Sequence, residues 1–467
     1  MELDMTKGSP TKLITKFIIP IIIGNIFQQF YSMADTIIVG RFLGIKALGA
    51  VGATGTVCFL ILGFAQGLTT GFTVQTAQCY GAGDMHGLKR SVYSAGFLSA
   101  IVTVVMTIIS VTFMDTLLTW MHTPSDLFDM AKGYILVICG GMGFSILYNL
   151  LASILRAIGN SVVPVVLLVI SAFLNIVLDI VFISVFHWGV EGAAYATITS
   201  QAISGILCLI YIWKKVPTLH FGKEHTRLNG QCVRNQLGVG VPMALQYSIT
   251  AVGTIMVQSA LNMLGSVVVA SFSAAMRVQD IVTQPFGAMG ATMATYGAQN
   301  RGVNDLDRIN RGAKVATVMT VIYSLVIYGV MIVMAPYVVR LFVTENIDQV
   351  YGYVKTYITM SGSLFIPLGL IFLFRNLLQG CGYGFLPMLG GVIELASRAI
   401  GSIIAQRNLT FVNVCMADLS AWLTAGIFFT VLYMFLIRKM RREKELYDSL
   451  SNTSLSNSNP AINQNGK

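Results

Sequence analysis

Long apolar runs alternate with short polar breaks along almost the whole chain, and reading runs against charged and turn-forming residues gives twelve segments. They lie near residues 14–39, 51–79, 91–114, 131–156, 162–186, 190–213, 236–262, 267–297, 313–338, 351–377, 384–405 and 412–437. A membrane-spanning helix needs about 20 apolar residues, which each run supplies. The runs are continuous rather than alternating, against the strand pattern of a membrane β-barrel. The pattern predicts an all-α polytopic membrane protein of 12 transmembrane helices. An even number of spans places both termini on one side.

The longest polar break before the tail, Lys214 to Arg234, divides the chain into two halves of six helices. The halves repeat. A shift of about 221 lays Ala77-Gln78-x-x-Gly81-x-x-Asp84 over Ala298-Gln299-x-x-Gly302-x-x-Asp305, and Pro20 and Pro164 then meet Pro242 and Pro387 within one or two residues. Repeats with an even number of spans share orientation, so two six-helix lobes related by a pseudo-two-fold along the membrane normal are expected, with a central cleft suited to alternating access. The expected division is an N-lobe (1–213), a cytoplasmic linker (214–234), a C-lobe (235–440) and a disordered Ser- and Asn-rich tail (441–467).

Composition agrees: 55% of 467 residues are hydrophobic and 11% charged, far below the roughly 25% charged residues of soluble proteins. The net charge of +10 comes from clusters at Lys7–Lys16, Lys89–Arg90, Lys214–Arg234, Arg301–Lys314 and Arg438–Lys444. Clusters after every second apolar segment follow the positive-inside rule, so they report topology with both termini cytoplasmic and not nucleic-acid binding. Seven cysteines without a C-x-x-C pair suggest neither a disulfide framework nor a zinc site. No cleavable signal precedes the first apolar run. No H-E-x-x-H, nucleophile elbow or phosphate-binding loop appears, and His86, His122, His187, His220 and His225 fall in or near loops, so no enzyme and no cofactor are expected.

Ionisable groups within spans are costly and each is a functional hypothesis. Asn175 and Asp179 are spaced i,i+4 on one face of the fifth helix, and Asp35 comes from the first. Neither aspartate has a basic residue at i±3 or i±4. With the Thr197 hydroxyl they form an all-oxygen set for a small hard cation, such as Na+, or a pair sharing a proton; helix packing or a helix end facing water is the plainer alternative. Glu394 and Arg398, also i,i+4, form a self-neutralised pair that is either structural or functional, and Arg277 with Asp280 (i,i+3) is read the same way. Arg375 is expected to snorkel to the cytoplasmic face. The repeat places Val257 near the position of Asp35, so cation coupling is expected in the first lobe alone. Gly63, Gly67 and Gly71 form a double G-x-x-x-G that favours close helix approach.

The segment Pro20–Gly44, with Asn25, Gln28, Gln29, Tyr31 and Ala34-Asp35-Thr36-Ile37-Ile38-Val39-Gly40, resembles the first helix of the multidrug and toxic compound extrusion (MATE) family. The resemblance runs over roughly residues 10–440 and includes A-Q-x-x-G, Leu155-Arg156-Ala157-Ile158-Gly159-Asn160, Asn175-x-x-x-Asp179 and Gly189-x-x-Gly192-Ala193-Ala194-x-Ala196-Thr197. It implies an antiporter of the cell membrane, driven by Na+ or H+, that expels small cationic amphipathic drugs or toxic metabolites and acts as a monomer. Asp35, Asn175, Asp179 and Thr197 match the first-lobe cation site, while Gln28, Gln29, Tyr31, Asp280, Glu394 and Arg398 are substrate or conformational candidates. A flippase for lipid-linked precursors is the alternative.

Overall fold

The computed structural model describes residues 2–121, 123–342 and 347–457; His122 and residues 458–467 lie outside them. Among the described residues the chain is helical throughout, with no strand. The helices are α1 (Pro10–Ala82), α2 (Met85–Trp120), α3 (Ser125–Gly140), α4 (Met142–Ala157), α5 (Val162–Ile180), α6 (Gly189–Lys215), α7 (Gly230–Asn262), α8 (Ser266–Gly302), α9 (Leu306–Phe342), α10 (Ile347–Ser363), α11 (Phe365–Gly380), α12 (Phe385–Arg407) and α13 (Phe411–Asn457).

These helices make twelve spans. The pairs α3/α4 and α10/α11 are each one span bent by 46° and 49°. The 73 residues of α1 are two spans, because Gly44 leaves helical geometry at φ 84°. A Cβ placed on Gly40 would lie 3.4 Å from the Leu48 side chain. Eight residues of straight helix rise about 12 Å, so the chain folds back at Gly44. Pro20 sits inside the first span without interrupting it. α8 has the length of a span, and polar residues of its middle, Arg277, Gln279, Asp280 and Thr283, line an internal cavity.

The two halves meet along the second span of α1 and along α7. Cβ atoms on Gly63 and Gly67 would lie 3.4 Å from Tyr247 and 2.7 Å from the Ala244 backbone, and one on Gly71 would fall on the Gly240 backbone. The double G-x-x-x-G is therefore the seam between lobes, where only hydrogen fits between two helix backbones. At Gly52 and Gly55, further along the same span, a Cβ would meet nothing within 4 Å. The lobes are thus in backbone contact toward the end carrying the basic loops, and that contact is absent at Gly52 and Gly55, where a cleft parts them. The first span belongs to both lobes: Ile14, Phe17, Ile18 and Ile21 join the buried cluster of the C-terminal half, while Gly24 abuts Val165 of α5.

Two polar segments pack against the lobes. The linker is ordered at its centre, with Leu219 and His225 buried and the His225 ring edge-on to His86 at 4.6 Å. The segment from 441, expected to be disordered, continues α13 as helix to Asn457. Lys439 pairs with Glu443 one turn on, Arg441 Nη2 binds Asp307 at 2.6 Å and Lys444 reaches the Asn304 carbonyl, so the helix docks on the α8–α9 loop.

Candidate functional site

Asp179 ends the regular part of α5 and is fully buried, with Asn175 one turn before it at 1% exposure. Directly after Asp179 the helix widens into a π-turn, Val181–Val185, a distortion that recurs at functional sites. α6 approaches α5 closely because Ala193, Ala194 and Ala196 present only methyl groups, all fully buried, and this brings Thr197 to Asn175. The Asn175 amide, turned to satisfy its neighbours, donates to Asp179 Oδ2 at 2.8 Å while its oxygen accepts from the Thr197 backbone N–H at 3.1 Å. Asn175 thereby acts as a donor to the aspartate as well as an oxygen source.

Asp35, half-buried on α1, joins from the other side and lies within electrostatic reach of Asp179. Asp35 Oδ1 and Asp179 Oδ1 are both buried without a hydrogen-bond partner. Tyr31, one turn before Asp35, lies near the Thr197 side chain. The four sequence-predicted residues Asp35, Asn175, Asp179 and Thr197 therefore converge, with Tyr31 beside them. Gln28 is exposed and Gln29 half-buried, and neither bonds to this group. Tyr134 of α3, buried at 8% exposure and within electrostatic reach of Asp35, Tyr31 and Asp179, was missed. Its neighbours in sequence are ordinary for a span, so no local signal marks it.

The C-terminal half has a cavity of about 590 Å³ with a different chemistry. Arg398 Nε binds Asp418 Oδ1 at 2.7 Å, Arg398 Nη1 lies 3.6 Å from Glu394, and Arg375 Nη1 lies 4.0 Å from Glu394. Glu394 and Arg398 are thus not a self-contained pair but the middle of a four-residue chain. Arg375 does not snorkel: it stacks over Phe372 at 5.0 Å and, with the Gln246 amide suitably turned, donates to it at 2.9 and 3.1 Å. Asp418 escaped the sequence reading although it stands in the apolar run Cys415-Met416-Ala417-Asp418-Leu419, the same signal that marked Asp35. Asp280 and Arg277 line this cavity without an ion pair between them, as does Val257, the apolar counterpart of Asp35. With the shift of 223 that relates Pro164 to Pro387, Asn175 corresponds to Arg398. Equivalent places in the two lobes hold opposite chemistry.

A family model described as MatE matches residues 20–181 and 241–404, one match in each half and together more than half of the chain. The chain belongs to the MatE family. One match falls in each half of the chain, and the protein is a multi-pass membrane transporter. Among MatE relatives, the probable multidrug resistance protein YpnP of Bacillus subtilis (strain 168) is 29% identical over 392 residues, covering 81% of this chain and 84% of its own. The crystal structure of MATE in complex with MaL6 superposes with a TM-score of 0.87 at 23% identity, covering 94% of this chain and 99% of that one. A MOP superfamily transporter from Pyrococcus furiosus Vc1, described as having a binding pocket of reverse polarity, gives a TM-score of 0.88 at 23% identity, covering 94% and 98%. These structures share the twelve-helix, two-lobe MatE fold.

Proposed function

We propose that this MatE protein is a cation-coupled antiporter that exports amphipathic organic cations, with Asp35 and Asp179 as the coupling site; the multidrug resistance in the relatives' names supports drug export. The observation that carries this reading is the carboxyl pair itself: two acids from α1 and α5 within electrostatic reach of each other, each with an orphaned buried oxygen, and among the described residues no ion pair to neutralise either. Such a pair holds one proton readily, or gives it up to a small hard cation that Asn175 and Thr197 help to surround. With the basic end cytoplasmic, the cleft opens outward, where the ion enters. Loading the pair reorganises α1 against α5 and releases substrate; substrate arriving from the cytoplasm or inner leaflet then displaces the ion. One charge moving down 100 mV gains about 2.3 kcal/mol, enough for a gradient of roughly fifty-fold.

The test uses reconstituted vesicles with Na+ and pH gradients imposed separately. Wild-type protein should move ethidium with one gradient or both, and Asp35→Asn should reach the membrane folded yet lose gradient-driven transport. Undiminished transport by Asp35→Asn would sink the assignment. A flippase for lipid-linked precursors gains support from the three arginines, Arg277, Arg375 and Arg398, that line the C-terminal cavity. Transport of a pyrophosphate-linked lipid instead of ethidium in the same vesicles would favour it.

A further inference from the structure

Ahead of α1, residues Glu2 to Thr6 do not hang free. They run into the crevice between the lobes at the closed, basic end, where Met5 is wholly buried in the same cluster as Leu306 and Ile309 of the C-terminal half. Asp4 fixes the turn that leads into α1: it accepts from the Thr6 backbone N–H at 2.9 Å, bonds to the Thr6 hydroxyl and pairs with Lys7 at 3.5 Å.

The bonds of this segment go to both lobes. On the N-terminal side, Leu3 N–H donates to the Gly159 carbonyl at 3.1 Å. On the C-terminal side, Met5 N–H donates to Gln299 Oε1 at 2.8 Å, and the Met5 carbonyl accepts from Asn300 Nδ2 at 3.1 Å and from Arg308 Nε at 3.0 Å. Arg308 is 8% exposed, so its bond to a main-chain carbonyl is made out of water, where breaking it without a substitute is costly. Gly159 has φ 85°, and any side chain there would fall on the Leu3 backbone. The site is shaped to a main chain passing through it.

We propose that Leu3–Met5 is an inter-lobe strap that holds the basic end shut and must release one lobe each time the lobes part there. Four hydrogen bonds from two residues, Leu3 and Met5, shared between two bodies, cannot all survive a separation of those bodies. Release on the C-terminal side strands the Met5 amide and carbonyl; release on the N-terminal side strands only the Leu3 amide. The strap therefore lets go of Gly159 first and travels with the C-terminal lobe. The inference rests on the transport reading only in requiring that the lobes rock.

The test measures the distance between spin labels placed, through noncanonical residues, on exposed Met85 and Arg311, one on each lobe at the basic end. Leu3→Pro removes the donor to Gly159 without touching either lobe, and Gly159→Ala expels the strap without touching its sequence. Losing a hydrogen bond of ordinary net strength shifts an equilibrium by roughly two- to tenfold. Each variant should raise the open-to-closed ratio by that factor and speed amide exchange at Leu3, while Met5 exchange stays slow. Asp4→Asn, on the exposed side of the turn, should leave the distances nearly unchanged. Distance distributions in Leu3→Pro and Gly159→Ala that match wild type would overturn the strap, as would Met5 exchanging faster than Leu3. The labels need neither ion gradient nor substrate, so failure here leaves the role of Asp35 untouched, and failure of Asp35→Asn to alter transport leaves the strap untouched.

Discussion

Gln78 and Gln299 occupy equivalent positions in the two repeats and do the same thing across the lobe boundary. Gln78 Nε2 donates to the Gly380 carbonyl at 3.0 Å, and Gln299 Nε2 donates to the Ala157 carbonyl at 2.8 Å. The two acceptors are themselves equivalent, 223 residues apart. Each glutamine ties the end of one lobe's second span to the turn after the other lobe's fourth. The glycines of the same motifs complete the arrangement: Gly81 packs on the Gln299 backbone and Gly302 on that of Gln78. The A-Q-x-x-G repeat is therefore a reciprocal clasp around the pseudo-two-fold axis.

Breaking the clasp should cost stability unequally. Gln78→Leu strands one carbonyl, whereas Gln299→Leu strands the Ala157 carbonyl and the Met5 N–H together. A buried group left without its partner costs about 1–3 kcal/mol. Thermal unfolding in detergent should rank wild type above Gln78→Leu above Gln299→Leu, and equal losses would show that the Met5 contact contributes nothing.

The glycine seam gives a sharper contrast along one helix. At Gly71 a side chain has nowhere to go but into the Gly240 backbone, while at Gly55 it enters the open cleft. Gly71→Val should therefore cost about 1–3 kcal/mol, the usual range for overpacking, and drive the lobes apart at the basic end. Gly55→Ala should leave both stability and lobe spacing as they are. The same labelled pair reads both variants, and a wild-type spacing in Gly71→Val would place the seam elsewhere.

In the C-terminal cavity, Arg398 holds two carboxylates, Asp418 and Glu394, in a largely buried setting. Arg398→Met should lower stability by about 3–5 kcal/mol, because removing one member of a buried ionic group leaves its partners uncompensated. Arg398→Met combined with Asp418→Leu should recover part of that loss, since Glu394 keeps Arg375 nearby. Chemical unfolding of the single and double variants forms the check; a double variant weaker than the single one would refute the pairing.

Much of this was written along the chain. Twelve spans, the repeat and the shift that aligns it follow from hydrophobic periodicity and from polar motifs in register, and a helix in a bilayer has no alternative way to satisfy its backbone. Asn175 and Asp179 share a face because a helix returns to it every four residues. Asp35 was conspicuous because an unpaired carboxyl group in an apolar run is costly. Tertiary structure decided what these groups meet. Only the approach of α6 on its alanines, with α1 turned back at Gly44, sets Asp35 against Asp179 and brings Tyr134 beside them. Arg398 has Glu394 one turn away in sequence, yet its shortest ion pair is with Asp418, twenty residues on and on another helix. Local rules see spacing along one helix, whereas ion pairs form wherever packing brings charges within a few ångströms. The segment before α1 shows the limit most plainly. Its sequence is short and polar, and its place between the lobes depends on carbonyls, amides and an arginine drawn from both ends of the chain.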